Sequence, residues 1–166
     1  AAMSEPDRYA QIHGSFRWEV PPEFNIAQVC CTRWALETPK AVAVIAEHDN
    51  GTVTRHSYAQ LQRQANQLSH VLRRLGVQRG DRVAIVMPQR VETAVAHLAV
   101  YQLGAVAMPL SQLFGPEALE YRLQHSEARV AIVDESAMHH VLAVRAAAPT
   151  LTHLLAVGAA EGQGDL

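Results

Sequence analysis

Two short apolar runs, separated by a helical pattern, dominate the hydrophobic and polar pattern of the chain. The first run is Arg82–Pro88 and the second is Gly104–Leu110, and neither shows polar alternation. Such runs are typical of strands buried on both faces of a sheet. The segment between them, Val91–Leu103, is long enough to cross the sheet as a helix, and Gly104 stands where helices commonly end in the left-handed conformation. The pattern predicts a parallel strand, helix, strand unit.

Two further apolar strands are predicted at Val130–Val133 and Leu154–Val157. The four strand starts, at positions 83, 105, 130 and 154, are separated by 22, 25 and 24 residues. These intervals suit successive strand and helix units better than hairpins. We therefore predict an α/β fold with an open, mostly parallel, doubly wound sheet and helices on both of its faces.

A β-hairpin and a long helix are predicted before the sheet. The strands Val42–Ala46 and Gly51–Arg55 flank a turn that contains an Asn-Gly dipeptide. Ser57 and Gln60 then form a capping box, and apolar residues recur at spacings of three and four as far as Leu75. The chain therefore begins with an N-terminal hairpin followed by an amphipathic helix that ends at Gly76.

Three more helices are predicted from cap residues and proline positions. Asn25 can cap a short helix that stops at Thr38-Pro39, with Ile26, Val29, Cys30 and Trp34 on one side. Pro116 stands at a first helical position for a helix to about His125. Asp134 or Ser136 caps a last helix that runs to Ala148.

The domain division follows from where these patterns stop. Residues 1–22 read as an irregular N-terminal extension, in which Ala1-Ala2 before Met3 resembles a cloning remnant. Residues 23–157 form the folded unit. Residues 158–166, rich in Gly and Ala, are predicted to be a flexible tail.

Composition and charge restrict the class of protein. A chain of 166 residues with 49% hydrophobic residues can bury one core, and a net charge of −2 gives no electrostatic argument for nucleic acid or a membrane surface. No apolar run reaches the roughly 20 residues that cross a bilayer, and no signal peptide is recognisable. We expect a cytoplasmic protein. Cys30 and Cys31 are adjacent, which disfavours a disulfide scaffold.

One loop is a candidate ligand edge. Ser111–Gly115 follows a central strand at its carboxyl end, where open α/β sheets bind ligands. The alternative is structural, with Phe114 packed under the next helix and Gly115 at its cap. Trp18, Phe24 and Trp34 likewise either line a groove or anchor the N-terminal segment as an aromatic cluster.

Other chemical signals are weak. Nine histidines are scattered without ligand spacing, so we predict no metal site. Asp134 follows a strand but is explained by helix capping, and Ser111 lacks the surroundings of a nucleophilic serine. The glycines at 76 and 80 precede their strand and lack phosphate-loop spacing. From the residues alone we predict no catalytic residue.

Three segments, His56–Leu61, Gly80–Ile85 and Tyr101–Leu110, follow one another in an order and at spacings that are distinctive together. In this they resemble the amino-terminal part of the adenylate-forming superfamily, which includes AMP-forming acyl-CoA synthetases. His56–Leu61 is similar to the first core motif, Leu-Thr/Ser-Tyr-x-Glu-Leu, from which His56 and Gln60 depart. Gly80–Ile85 resembles the stretch that follows, and Tyr101–Leu110 resembles the second core motif, with its Gly-Ala and Pro retained.

Two further segments, Leu113–Leu123 and Phe24–Ala27, resemble short- or medium-chain acyl-CoA synthetases within this superfamily. The resemblance, over residues 24–157, implies an enzyme that uses ATP, Mg²⁺ and CoA to convert a carboxylic acid into an acyl-CoA through an acyl-adenylate. In the family the phosphate loop, the adenine pocket and the catalytic Lys lie further along the polypeptide. The resemblance therefore implies a partial N-terminal domain that is inactive alone, that packs against the remainder of the same chain and that can self-associate.

The resemblance also implies a role for the loop after the second strand. In related enzymes the matching loop borders the route of CoA, so Ser111, Gln112 and Leu113 are the candidate cofactor-binding residues. Gln112 lacks the charge with which an Arg would bind a phosphate. The alternative hypothesis is a stand-alone α/β binding or interaction module without catalysis.

Overall fold

A computed structural model describes residues 7–158 and 162–165. Its strands and helices follow one another in an α/β order. The strands are β1 Val42–Glu47, β2 Val53–Ser57, β3 Arg82–Val86, β4 Val106–Leu110, β5 Val130–Asp134 and β6 His153–Val157. The helices are α1 Arg8–Ser15, α2 Arg33–Glu37, α3 Tyr58–Arg74, α4 Val91–Gln102, α5 Pro116–Ser126 and α6 Glu135–Val144.

The four later strands form one parallel sheet in the order β4-β3-β5-β6. Val83 of β3 pairs with Ala107 of β4 and with Val130 of β5, so β3 has a neighbour on each side. This confirms the predicted parallel α/β fold, and the separate antiparallel pair β1-β2 confirms the hairpin.

Alternate residues of the sheet strands pack against different helices. Val83, Ile85 and Ile132 belong to a buried cluster with Leu72 of α3 and Val100 of α4. The intervening residues of the same strands, such as Ala84, Val86 and Val133, are buried together with residues of α5 and α6. Burial of one Val or Ile side chain contributes about 1.5–3 kcal/mol. Both faces therefore stabilise β3 and β5, which explains why these two strands lack polar alternation.

The strand, helix, strand unit of β3, α4 and β4 lies within the predicted ranges, and each element is slightly shorter than predicted. The prediction that the second strand is buried on both faces was wrong, because β4 lies at the edge of the sheet and its Val106 is 47% exposed. Gly104 adopts φ +66°, the left-handed conformation expected at this helix end. A Cβ atom added to Gly104 would lie 3.2 Å from Cγ of Arg79, so the turn is also crowded. The glycine therefore serves both the backbone conformation and the close approach of the preceding loop.

The hairpin is joined to α3 without a linker. Ser57 is the last residue of β2 and also the N-cap of α3, where its hydroxyl accepts a hydrogen bond from the Gln60 backbone N–H at 3.3 Å. The Gln60 side chain accepts one from the Ser57 backbone N–H at 2.8 Å, which confirms the capping box. The first two residues of α3 also donate backbone hydrogen bonds to Pro39 and Ala41, just before β1.

The helix before the hairpin differs from its prediction in the face it buries. A π-helical segment, Gln28–Thr32, precedes α2. Its buried residue is Cys31, and Ala27, directly before the segment, is buried as well. Ile26, Val29 and Cys30, predicted to lie on one side with Trp34, are exposed. Burial, together with the neighbouring Cys30 thiol, raises the pKa of Cys31. The predicted face was wrong because the side chains do not follow a regular α-helical period through this turn.

Parts of the two terminal segments form a helix and contacts with the sheet. Within the extension, α1 forms with Asp7 as its N-cap, although none of its residues is buried. In the tail, Asp165 donates its backbone N–H to the carbonyl of Leu154 in β6, and its carboxylate accepts the Leu154 N–H; both distances are 2.8 Å. Arg145 holds the same carboxylate at 2.7 Å. Residues 1–6, 159–161 and 166, which complete the predicted extension and tail, lie outside the described residues.

The last helix is shorter than predicted. α6 ends at Val144 and continues as a 3₁₀ turn, Arg145–Ala147, so only the cap at Asp134 is confirmed in detail. Within residues 7–158 and 162–165, no helix combines the length and apolar character needed to cross a membrane.

Candidate functional site

A cleft of about 940 Å³ opens at the carboxyl ends of β3 and β4. Strand β1 of the hairpin forms one wall, α4 forms another, and the loops that follow β3 and β4 complete the rim. The cleft therefore occupies the edge at which parallel sheets of this kind bind ligands. Ser111, Gln112 and Leu113, the three predicted site residues, all line it.

The loop after β4 divides into an exposed part and a packed part. Ser111 accepts the Leu113 backbone N–H on its hydroxyl at 3.2 Å and the Phe114 N–H on its carbonyl at 3.1 Å, which closes a tight turn. Leu113 is 85% exposed at the tip of this turn. Phe114 instead packs against the cluster beneath α5 and α6, and Gly115 is the N-cap of α5. The structural alternative is therefore confirmed for Phe114 and Gly115, while Ser111, Gln112 and Leu113 border the cleft and their role toward a ligand stays a prediction.

Gln112 is linked to the end of a different strand. The Ser136 hydroxyl lies 3.3 Å from Oε1 of Gln112 and 2.6 Å from Oδ1 of Asp134, and the Ser136 backbone N–H also donates to Asp134 at 3.1 Å. Asp134 is only 3% exposed. The loop after β4 is thereby connected to the start of α6, directly after β5.

Arg90, which the sequence analysis missed, is surrounded by carboxylates on the same edge. Its guanidinium lies 2.8 Å from Glu92, 3.7 Å from Asp134 and 3.8 Å from Glu135. The hydrogen bond to Glu92 raises the pKa of Arg90, against the opposing effect of burial, and the three negative charges add to the rise. Three carboxylates more than offset one positive charge, so this arginine is not suited to bind a phosphate.

The end of β6 approaches the same group of charges. Gly158 adopts φ +72°, and a Cβ atom there would collide with the Glu135 carboxylate and lie 3.3 Å from Nη1 of Arg90. A glycine is therefore required by both conformation and space. The position of Arg90 in the loop that follows β3 is the sequence signal that would have pointed to it, since Ser111 was selected because it lies in the loop after β4.

One histidine lines the cleft. Nδ1 of His97 lies 2.8 Å from the backbone carbonyl of Thr93, so this nitrogen carries a proton and, in the neutral ring, Nε2 is the acceptor. Among the residues that the structure describes, no three His, Cys, Asp or Glu side chains are grouped as metal ligands would be.

The aromatic residues considered above do not form one cluster in the described part of the chain. Trp18 is 84% exposed and contacts Phe16 edge-on at 5.0 Å. Trp34 lies 6.2 Å from the ring of Tyr58, and Phe24 is 61% exposed. The hypothesis that an aromatic cluster anchors the N-terminal segment is therefore wrong.

Comparison with known proteins places these features in a family. The sequence profile described as AMP-binding enzyme matches residues 31–164, which is most of the chain. The acetyl-coenzyme A synthetase 2 of Eremothecium gossypii is 39% identical over 120 residues, which cover 72% of this chain and 18% of that protein. The acetyl-coenzyme A synthetase of Escherichia coli strain K12 is 34% identical over 128 residues, covering 76% and 20%. The chain spans about a fifth of the length of these curated relatives.

Solved structures agree with this relationship. A fatty acyl CoA synthetase of Mycobacterium tuberculosis superposes with a TM-score of 0.71 at 29% identity, covering 80% of this chain and 26% of that one. The crystal structure of an anthranilate CoA ligase in complex with anthranoyl-AMP shares the fold, with a TM-score of 0.74 at 24% identity over 84% of this chain and 26% of that one. With its parallel sheet, its hairpin and the matching profile, the chain belongs to the AMP-binding, adenylate-forming enzyme family and corresponds to the N-terminal region of its acyl-CoA synthetases.

Proposed function

We propose that this chain is the N-terminal part of an AMP-forming acyl-CoA synthetase. Such an enzyme joins a carboxylate to ATP, releases pyrophosphate, and transfers the acyl group from the adenylate to the thiol of CoA with release of AMP. The observation that carries the proposal is the 39% identity to an acetyl-coenzyme A synthetase over 120 residues. Because these relatives are named for acetate, a short- or medium-chain carboxylic acid is the proposed substrate class.

The role proposed for the chain is to border the entrance for CoA. The cleft has Gln112 on its rim, and the uncharged amide of Gln112 suits the amide-containing arm of CoA better than its phosphates. Glu47 and the carboxylates around Arg90 give the nearby rim negative charge, which disfavours phosphate contacts there. The described residues thus fit the neutral arm of CoA.

The same residues do not fit the phosphates of ATP. Lys40, the one lysine of the sequence, is exposed in the turn before β1 and does not line the cleft. Arg90 is already surrounded by carboxylates. We therefore assign the adenylation step to parts of the enzyme beyond these residues and expect the 166-residue chain to be inactive by itself.

The activity is tested in a protein that continues through the family's downstream regions. ATP–pyrophosphate exchange with a panel of carboxylates, from acetate to octanoate, is expected to reveal at least one substrate. Absence of exchange across the panel, in a folded protein, would contradict the enzyme proposal.

The CoA entrance is tested with Gln112→Ala in the same protein. The apparent KM for CoA is expected to rise about three- to tenfold, the effect of losing one hydrogen bond, while the exchange reaction, which needs no CoA, keeps its rate. Gln124→Ala is the matched control. Gln124 lies on α5, does not line the cleft, and donates its side-chain N–H groups to Glu120 and to the carbonyl of Ala147 in the turn after α6. An unchanged KM in Gln112→Ala would remove Gln112 from the CoA site.

A further inference from the structure

The Ser136 hydroxyl can donate its proton to only one of its two neighbours, Asp134 or Gln112. The Ser136 hydroxyl has one proton but two oxygen neighbours, Oδ1 of Asp134 at 2.6 Å and Oε1 of Gln112 at 3.3 Å. The carboxylate is both closer and charged, so the Ser136 hydroxyl donates its hydrogen bond to Asp134. The side of the hydroxyl oxygen that faces Gln112 then carries a lone pair, which is matched by an N–H group and not by a carbonyl oxygen.

A side-chain amide can satisfy this requirement without changing its outline. A half-turn about the last bond of Gln112 exchanges its nitrogen and oxygen, which have nearly the same size. The amide nitrogen then donates to Ser136, the Ser136 hydroxyl donates to Asp134, and all three polar groups are satisfied. The carbonyl oxygen of Gln112 is released from the Ser136 contact and becomes available to a ligand in the cleft.

We propose that Ser136 is a positioning residue for the CoA entrance, one that holds the Gln112 amide by its nitrogen and presents its carbonyl oxygen as a hydrogen-bond acceptor. This inference rests on the proposed function, because it assigns a use to the cleft-lining loop. CoA carries amide N–H groups along its neutral arm, and these are the donors that such an acceptor would bind.

The anchor of this arrangement is rigid. Asp134 is 3% exposed and its Oδ1 accepts two hydrogen bonds from Ser136, one from the backbone and one from the hydroxyl. Its other oxygen, Oδ2, lies 3.7 Å from Arg90. The position of the Ser136 hydroxyl is therefore fixed by a buried carboxylate that is itself fixed by two elements of the fold.

The contact also spans the sheet. In the order β4-β3-β5, the strands that precede Gln112 and Ser136 are separated by β3. Two strand spacings are roughly 10 Å, so the side chains of Gln112 and Ser136 meet above the carboxyl end of β3. Ser136 thus fixes Gln112 against a part of the molecule that does not move with its own loop.

The kinetic test uses Ser136→Ala in the enzyme that contains this chain. The apparent KM for CoA is expected to rise about three- to tenfold, with the rate of ATP–pyrophosphate exchange unchanged. Ser136→Thr keeps the hydroxyl and is expected to restore the KM to within about twofold. Ser126→Ala is the matched control, since the Ser126 hydroxyl donates to Arg122 within its own helix.

A second measurement separates this inference from the function on which it rests. In ¹⁵N-labelled 166-residue chain, the side-chain amide signals of Gln112 are expected to shift in Ser136→Ala and to return in Ser136→Thr, whether or not CoA binds. Unchanged signals would overturn the positioning role. A different result is also informative: the signals shift, but neither Gln112→Ala nor Ser136→Ala alters the KM for CoA. The hydrogen bond between Ser136 and Gln112 would then be confirmed, but neither residue would act on CoA, and the proposed positioning role would be overturned.

The two variants should also be coupled. If Ser136 acts only through Gln112, the double variant Gln112→Ala/Ser136→Ala has the same KM for CoA as Gln112→Ala alone. If the fold-increase in KM for CoA in the double variant equals the product of the two single fold-increases, Ser136 acts independently of Gln112 and the proposal is overturned.

Discussion

Replacement of Arg90 by methionine tests how strongly the charges at the carboxyl edge depend on one cation. Met keeps much of the length of the side chain and removes its charge. The side chain of Arg90 is 28% exposed and that of Asp134 is buried, so their attraction is only partly screened by water. A pair of charges about 4 Å apart interacts by about 4 kcal/mol at an effective dielectric constant near 20.

The net effect is smaller than this attraction. Returning Arg90 to water in the unfolded state recovers its hydration, and Asp134 keeps its two hydrogen bonds from Ser136. We therefore expect Arg90→Met to lower the free energy of unfolding by about 2 kcal/mol at pH 7, or roughly 4–8 °C in Tm for a chain of this length. Urea unfolding followed by circular dichroism measures the change. Arg129→Met is the control, because Arg129 is 44% exposed and 4.0 Å from Asp81, and its loss should cost below about 0.5 kcal/mol.

The effect should also depend on pH. Burial raises the pKa of Glu92, but the hydrogen bond from Arg90, the backbone and nearby positive charge outweigh it, so the pKa lies below its ordinary value of 4.5. A lowered carboxyl pKa stabilises the fold above 4.5, and this contribution is lost as the pH falls through the folded-state value. The pKa of Arg90 is raised, so the arginine stays charged throughout this range. The difference in the free energy of unfolding between wild type and Arg90→Met should therefore become smaller below about pH 4.5. Two results would refute this reasoning: a loss of stability in Arg90→Met no larger than that in Arg129→Met, or a difference that stays constant down to pH 3.

Two further predictions concern the hairpin and the sheet edge. Ser57→Ala should lower the free energy of unfolding by about 1 kcal/mol. Because Gln60 shares the capping box, the double variant with Gln60→Ala should lose less free energy of unfolding, measured with urea, than the sum of the two single variants. Additive losses would contradict a shared capping box. Asp165→Ala should speed hydrogen exchange of the Leu154 amide at neutral pH. The hydrogen bond from Arg145 lowers the pKa of Asp165 below its ordinary 3.8, so wild-type protection should persist above that pH and fall toward that of the variant as the carboxyl is protonated; equal exchange in both proteins at neutral pH would contradict the contact.

Much of the sheet could be predicted because its strands are buried on both faces. Val83–Val86 and Val130–Val133 read as continuous apolar runs since α3 and α4 cover one face while α5 and α6 cover the other. The caps at Ser57 and Asp134 were also predictable, because a cap depends on residues only two or three positions apart. Local chemistry and two-sided burial therefore determine most of the element boundaries.

The missed features depend on contacts that are distant in sequence or on small departures from a regular period. The π-helical segment changed which side chains are buried, so Ala27 and Cys31 replaced the expected residues. Arg90 and Asp134 are 44 positions apart and meet only because β3 and β5 are neighbours in the sheet. The cleft could not be predicted either, because one of its walls is the hairpin. The periodicity of the sequence gives no information about where the hairpin packs against α4.

The direct junction of the hairpin and α3 has a mechanical consequence for the cleft. Ser57 both ends β2 and caps α3, and the backbone of α3 is hydrogen-bonded to Pro39 and Ala41 just before β1. The hairpin, which forms one wall of the cleft, is therefore joined to α3 without a flexible hinge. Rotation of the wall would have to carry a seventeen-residue helix with it, together with the apolar contacts of that helix beneath the sheet. We therefore expect the width of this entrance to be set when the chain folds, so that the hairpin admits ligands by their cross-section and does not close over them.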